Sequence, residues 1–211
     1  MSAKQLLPLS GVAAVLLIIA AFIVGGETPE ADDTLAKIVS YYHDNDTDLQ
    51  IAAALLALGG FFFLLFSVTL TDLFRRAIPE RRVAPTLCLG GGIIFAVGVT
   101  IFSGLEFTAA EFVDDLAPTS VQTLNALSSD MFFTLAVGVA AFLLGAGVAS
   151  LKASLLPKWL AWAGIVIGVV AITPIGFFAF LALGIWTLIV SVMLAMHAGS
   201  SEAAPPPPTV A

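Results

Sequence analysis

Charged side chains are scarce in this sequence. Only 11% of the residues are Asp, Glu, Lys or Arg, 59% are hydrophobic, and the mean hydropathy is +1.05. An ordinary soluble domain has ~25% charged residues, so lipid is the expected solvent for most of this chain. Its 211 residues leave room for one compact helical bundle and for no separate soluble catalytic domain.

Cysteine and histidine are also nearly missing. The single Cys88 has no partner for an intramolecular disulfide. His43 and His197 are predicted on opposite sides of the membrane, so they cannot be paired axial ligands of a haem. No lysine lies in a predicted spanning segment to form a retinal-type Schiff base, and Walker-type and His-Glu-x-x-His motifs are missing. The sequence therefore predicts no cofactor, no metal and no catalytic residues, and it leans away from an enzyme.

The chain is organised around a short basic loop between two long apolar runs. Arg75, Arg76, Arg81 and Arg82 supply four of the eight Lys and Arg residues. Apolar runs of ~20 residues can cross ~30 Å of hydrocarbon as helices, and short basic loops stay in the cytoplasm. This loop therefore orients the protein. The same four arginines are candidate contacts for the headgroup of an anionic lipid.

Six spanning helices are predicted, so the fold class is an all-α polytopic bundle. The first apolar run, residues 6–24, is longer than a signal-peptide core and is expected to be retained. Three more helices are predicted over about 51–74, 85–107 and 131–149, and the uncharged run 160–196 holds two, with a tight turn at 173–176. Residues 1–198 thus form the transmembrane domain, and residues 199–211 form a disordered Pro-rich cytoplasmic tail.

The distribution of charge supports this topology. Of the eight Lys and Arg residues only Lys37 falls on the predicted outer side, where most of the fifteen acids lie. The positive-inside rule then places both termini in the cytoplasm and the protein in the cell membrane.

Two short amphipathic helices are expected on the outer face. The first is predicted to start at Pro29 with Thr28 as its cap, and it presents an apolar stripe that ends at Tyr42. The second follows Pro118, where Thr119 and a Gln three residues later match a capping box.

Two acids are predicted near the outer membrane boundary. Glu106 follows the third spanning helix and Asp130 opens the fourth, so we expect them at similar depth. Ionisable groups at membrane depth are costly and often functional, which makes the pair a candidate proton or cation site, with Ser103, Asn125 and Ser129 as neutral neighbours. The alternative is that each acid is simply solvated at the surface.

Glycines are abundant on the predicted spanning helices. They allow close helix approach, either within one bundle or between copies. Self-association or another membrane protein is therefore a possible partner besides membrane lipids, whereas nucleic acid is not expected. A shift of 79 positions pairs Gly59 with Gly138 and residues 63–65 with 142–144, which suggests a faint internal repeat.

Four segments carry a resemblance to known proteins. They are Leu73-Phe74-Arg75-Arg76, residues 124–133, Leu156-Pro157-Lys158-Trp159-Leu160-Ala161-Trp162 and residues 173–178. With the helices so placed, the chain resembles a group of small six-helix integral membrane proteins of unknown function from actinobacteria. The resemblance implies the topology and no catalytic residues.

Three functions remain open. A non-enzymatic membrane component that binds a lipid or a protein is favoured, because no catalytic set is visible. The alternatives are a small proton- or cation-coupled transporter and a membrane-embedded enzyme that acts on a lipid or quinone at the outer face.

Overall fold

The structure, a computed structural model, describes residues 6–30 and 32–202, and for 198–202 it describes the backbone alone. All regular structure in these residues is helical, which confirms the all-α class. In chain order the helices are α1 (Ser10–Gly25), α2 (Leu35–Asp44), α3 (Asp46–Ala77), α4 (Val83–Glu111), α5 (Pro118–Asp130), α6 (Phe132–Ala153), α7 (Lys158–Ala171) and α8 (Phe177–Glu202). The predicted tail lies outside the described residues from 203 onward, and its first residues, 199–202, continue α8.

Four stretches of the described residues are long and apolar enough to cross a membrane. They are α3, α4, Pro118–Ala153 (which joins α5 and α6) and Phe177–His197 within α8. At most half of each apolar window is buried inside the bundle, and the outward faces carry large apolar side chains such as Phe61, Ile93, Phe133 and Phe178. Helices that are apolar on the face toward the bundle and also on the face away from it are typical of a lipid environment. The chain is therefore a membrane-embedded protein.

The six apolar helices form a closed ring in chain order. Helix α1 packs on α3, α3 on α4, α4 on α6, α6 on α7 and α7 on α8, and α8 returns to α1. The short helices α2 and α5 contact each other and lie at one end of the ring, which we call the cap end. The loop at residues 78–82 joins α3 to α4 at the opposite end, the arginine end.

Aromatic side chains fill the centre of the ring. The ring centroid of Phe63 lies 4.5 Å from that of Phe95 and 5.0 Å from that of Phe142. Trp186 meets Phe142 edge-on at 6.0 Å and donates its indole N–H to the Leu160 carbonyl at 2.9 Å. Tilted and edge-on pairs of this kind are favourable beyond the area they bury. The middle of the bundle is therefore packed with side chains from several helices.

Glycine sets the distance between two pairs of helices. A Cβ at Gly91 of α4 would overlap the backbone of α6, and a Cβ at Gly138 of α6 would lie 2.6 Å from the Phe95 nitrogen of α4. A Cβ at Gly59 of α3 would lie 2.7 Å from the Ile18 side chain of α1. Gly59 and Gly138, which the 79-residue shift pairs, thus each mark the close approach of a helix to the apolar helix before it. Both glycines are used within the bundle.

The start of α2 differs from the prediction. The helix begins at Leu35, because Thr34 is extended and its hydroxyl accepts a hydrogen bond from the Lys37 amide at 3.4 Å. Before the helix, the Asp33 carboxylate accepts a hydrogen bond from the Glu30 amide at 2.9 Å and pairs with the Lys37 ammonium at 2.7 Å. The Lys37 hydrogen bond lowers the pKa of Asp33. Thr34, and not Thr28, is therefore the cap.

The junction before α6 also differs in detail. The predicted capping box does not form, because α5 begins at Pro118 and leaves Thr119 inside the helix, where its hydroxyl cannot cap. The break between α5 and α6 falls at Met131. The turn predicted at 173–176 is present between α7 and α8.

Candidate functional sites

A buried polar cluster at the cap end joins three helices. Glu106 lies near the C-terminal end of α4 and is only 6% exposed. The hydroxyl of Tyr42 on α2 lies 3.1 Å from Oε2 of Glu106 and 3.2 Å from Oδ1 of Asn125 on α5. Tyr42 and Asn125 are completely buried. We call these three residues the cap cluster.

The orientation of the Asn125 amide follows from its second contact. Its Nδ2 donates to the Pro29 carbonyl at 3.4 Å, so its Oδ1 faces Tyr42. Ser128 lies one turn further along α5, and its hydroxyl donates to the Asn125 carbonyl at 2.9 Å. Oε1 of Glu106 has no hydrogen-bond partner among the described residues. The cluster thus contains a buried carboxyl oxygen that makes no hydrogen bond within the described part of the chain.

Two neighbouring tyrosines hold α2 in place. Ile38 and Tyr42 are the buried residues of this helix, and they share one face. The Tyr41 hydroxyl donates to the Gly25 carbonyl at the end of α1, at 2.8 Å. Burial raises the pKa of both Tyr41 and Tyr42. Both phenols therefore stay neutral and act as hydrogen-bond donors.

A small crevice lies beside the cluster. Its volume is about 30 Å³, and Glu106 lines it together with the end of α1, Tyr41 and the first turns of α3. It also reaches Gly26 and Thr28, which are exposed. A space of this volume holds about one water molecule. The buried carboxyl therefore lies next to a short route to the surface.

The structure places the two acids of the predicted site in different surroundings, with Glu106 buried and Asp130 exposed. Asp130 is exposed at the end of α5, and within the described part of the chain no hydrogen bond or ion pair joins it to Glu106. Among the predicted neutral neighbours, Asn125 belongs to the cluster. Ser103 donates to the Ala53 carbonyl at 2.7 Å and Ser129 to the Asn125 carbonyl at 3.0 Å.

Sequence reasoning missed Tyr42 as the partner of Glu106. The two residues are 64 positions apart, and only the packing of α2 on α4 brings them together. A usable signal was present, because the phenol is the one polar group on the apolar stripe of α2. A buried phenol usually finds a hydrogen-bond partner.

A second candidate site is a cleft at the arginine end. Its volume is about 460 Å³, and it lies between the 78–82 loop, α4 and α6. Among the described side chains, the charged ones at the cleft are those of Arg81, Arg82, Lys152 and one acid, Glu80. Its apolar wall includes Leu87, Leu144 and Val148. The cleft therefore combines a net positive charge with a surface that suits hydrocarbon.

The four predicted arginines divide into two pairs. Arg81 and Arg82 line the cleft, whereas Arg75 and Arg76 lie at the end of α3 and do not line it. Arg76 instead pairs with Asp72 one turn earlier, at 2.6 Å. The third base at the cleft is Lys152 of α6, which the close packing of α4 on α6 brings next to Arg81 and Arg82.

Metal binding has no visible basis in residues 6–30 and 32–202. No group of three or more His, Cys, Asp or Glu side chains there is placed to hold an ion. No protein family, no curated protein and no solved structure matches this chain.

Proposed function

We propose that this chain is a six-pass, non-enzymatic membrane protein that binds an anionic phospholipid at its cytoplasmic end. The observation that carries the proposal is the cleft, where three bases and one acid adjoin an apolar wall. A guanidinium presents a fork of N–H donors that suits phosphate oxygens. Near a membrane surface each base contributes about 1 kcal/mol to the binding of anionic lipid.

Six crossings require α1 and α7 to span as well. These helices have 16 and 14 residues, which is about 24 and 21 Å at 1.5 Å per residue. They are shorter than the ~30 Å core, but each is a full member of the ring. Trp159 and Trp162 are exposed at the arginine end of α7, where interfacial anchors are expected. A shorter helix is accommodated by local thinning of the bilayer.

Orientation follows from the bases. The arginine end lies in the cytoplasm with both termini, and the cap end lies outside, with α2 and α5 as amphipathic helices on the outer face. The resemblance to actinobacterial six-helix proteins implies the same arrangement and stays a prediction.

The topology is tested by labelling single cysteines in intact cells. Cys88 is fully buried and is close to alanine in size, so the Cys88→Ala background is expected to fold and to remove the native thiol from the labelling reaction. Ala77→Cys at the arginine end, Ala117→Cys at the cap end and Ile175→Cys between α7 and α8 are all exposed positions. An impermeant maleimide is expected to label 117 and 175 from outside, and 77 only after lysis. Labelling of 175 from the inside alone would show that α7 does not cross, which leaves at most five crossings instead of six.

Lipid binding is tested by charge removal on and off the cleft. Delipidated protein is titrated with phosphatidylglycerol and with phosphatidylcholine, and bound lipid is counted by native mass spectrometry. At about 1 kcal/mol per base, the double variant Arg81→Ala with Arg82→Ala is expected to bind phosphatidylglycerol roughly 30-fold more weakly.

The matched control is the variant Arg75→Ala with Arg76→Ala, which loses the same charge at the same end of the bundle, in the last turn of α3 and outside the cleft. It is expected to keep the preference for phosphatidylglycerol. Equal losses in both variants would show that diffuse charge attracts the lipid, and a wild-type protein without preference for either lipid would overturn the proposal.

A proton- or cation-coupled transporter is the second candidate, favoured by the buried Glu106. Proton uptake into liposomes that contain the protein distinguishes it, because a lipid-binding component produces none. The position of Glu106 at the cap end argues against a transporter, because transport sites lie near the middle of the membrane.

A further inference from the structure

The hydrogen bonds of the cap cluster contain one proton fewer than their geometry needs. Tyr42 has a single hydroxyl proton, but its oxygen lies 3.1 Å from Glu106 Oε2 and 3.2 Å from Asn125 Oδ1. If Glu106 is ionised, both neighbouring atoms are acceptors. One of the two contacts then holds two oxygens together with no hydrogen between them.

Turning the Asn125 amide over does not solve this. The reversed amide would place Oδ1 against the Pro29 carbonyl, where Nδ2 now donates at 3.4 Å. That exchange removes one oxygen pair and creates another. A protonated Glu106 supplies the missing hydrogen at Oε2: its O–H donates to Tyr42, Tyr42 donates to Asn125, and Asn125 donates to Pro29.

The surroundings of Glu106 carry no compensating charge. The titratable groups that face it are the phenols of Tyr41 and Tyr42 from α2. Helix α5 contributes Asn125 and Ser128, both neutral, and α3 contributes Leu49 and other apolar side chains at the crevice. Within the described residues Glu106 makes no ion pair with any base. A buried carboxylate without a partner is strongly disfavoured relative to the neutral acid.

We propose that Glu106 is a reversible proton-binding site, and that its proton holds α2 and α5 on the cap end of the bundle. The proton enters and leaves through the crevice that reaches Gly26 and Thr28. When the proton leaves, Glu106 becomes a carboxylate. The Tyr42 hydroxyl then turns to donate its hydrogen bond to Glu106, and its hydrogen bond to Asn125 is lost. Helix α2 then separates from α5.

The direction of the pH dependence follows from proton counting. At neutral pH the closed state holds a proton that a solvated glutamate has released. Closure is therefore favoured at low pH, and it weakens as the pH rises. The lipid cleft lies at the opposite end of the bundle, so the proton site stands independently of the proposed function.

Infrared spectroscopy tests the protonation directly. The protein in nanodiscs at pH 7 is expected to show the C=O band of a protonated carboxyl, which disappears at high pH. Glu106→Gln is expected to lack the band, and Asp130→Asn, which removes an exposed acid, is expected to keep it. A wild-type protein without the band at pH 7 would overturn the proposal.

Hydrogen exchange tests the consequence for the cap. The protection factors of amides 35–44, which correct for the intrinsic effect of pH, are expected to fall roughly ten-fold between pH 6 and pH 9. Those of α6 are expected to stay constant. Glu106→Gln retains a donor for Tyr42, so its cap is expected to stay protected at both pH values, and Asp130→Asn is expected to follow wild type. If wild-type α2 is equally protected at both pH values, the proton does not hold the cap. The wild-type measurements decide this even if Glu106→Gln fails to fold.

Discussion

Gly91→Val is expected to lower the thermal unfolding temperature of the purified protein by about 10 °C. A Cβ at this position overlaps the backbone of α6, which cannot rotate aside as a flexible side chain can. The helices must separate, and the contact between α4 and α6 is lost along part of its length. Overpacking of a tight interface costs about 3 kcal/mol or more when backbone opposes backbone. Thermal unfolding in detergent, followed by intrinsic fluorescence, measures the shift.

Gly90→Val is the matched control. Gly90 precedes Gly91 on the same helix, but a Cβ there meets nothing within 4 Å. Both variants lose a glycine and gain a β-branched residue, so any change in helix propensity is shared. Gly90→Val is expected to melt within about 2 °C of wild type. If both variants lowered the unfolding temperature equally, the cause would be the loss of glycine from the helix. The close contact between α4 and α6 would then not explain the effect.

Phe142→Ala is expected to cost about 2 kcal/mol of stability. Phe142 is completely buried and contacts Phe63, Phe66 and Trp186. In a bilayer the unfolded helices also keep their phenylalanines in hydrocarbon, so the transfer term largely cancels. What remains is the void and the lost packing in the centre of the ring. Unfolding by SDS in mixed micelles gives the free-energy difference.

Phe133→Ala makes the comparison within one helix. Phe133 is also on α6 but is 75% exposed, so its removal leaves no internal void. Its effect on stability is expected to stay within about 0.5 kcal/mol. If the two substitutions cost the same, the aromatic centre does not contribute through packing.

The helices themselves were largely predictable from the sequence. Long apolar runs, the basic segment at 75–82 and the break at 173–176 are local signals, and lipid makes them strong because every spanning backbone must satisfy its own hydrogen bonds. The cap end was harder to predict. Thr28 and Thr34 are both of a residue type that caps helices, and in the structure the extended Thr34 accepts the hydrogen bond from the Lys37 amide.

The candidate sites were predictable only in part. Glu106 and Arg81 with Arg82 stood out by residue type, since charge is rare in this chain. Their partners did not, because Asn125 lies 83 positions from Tyr42 and Lys152 reaches the cleft only through the packing of α4 on α6. Sequence spacing places residues on one helix face, but it does not say which faces meet. That depends on the glycines that let particular helices approach.

The ring arrangement bears on how the protein is made. Each apolar helix packs on the apolar helices just before and after it in the chain. The one exception among the ring contacts is that between α1 and α8, which closes the ring. Successive helices can therefore dock as they leave the ribosome and enter the bilayer, before synthesis ends. Only the contact of α8 with α1 must wait for the full chain, so shortened products that lack α8 would expose one open seam to cellular quality control.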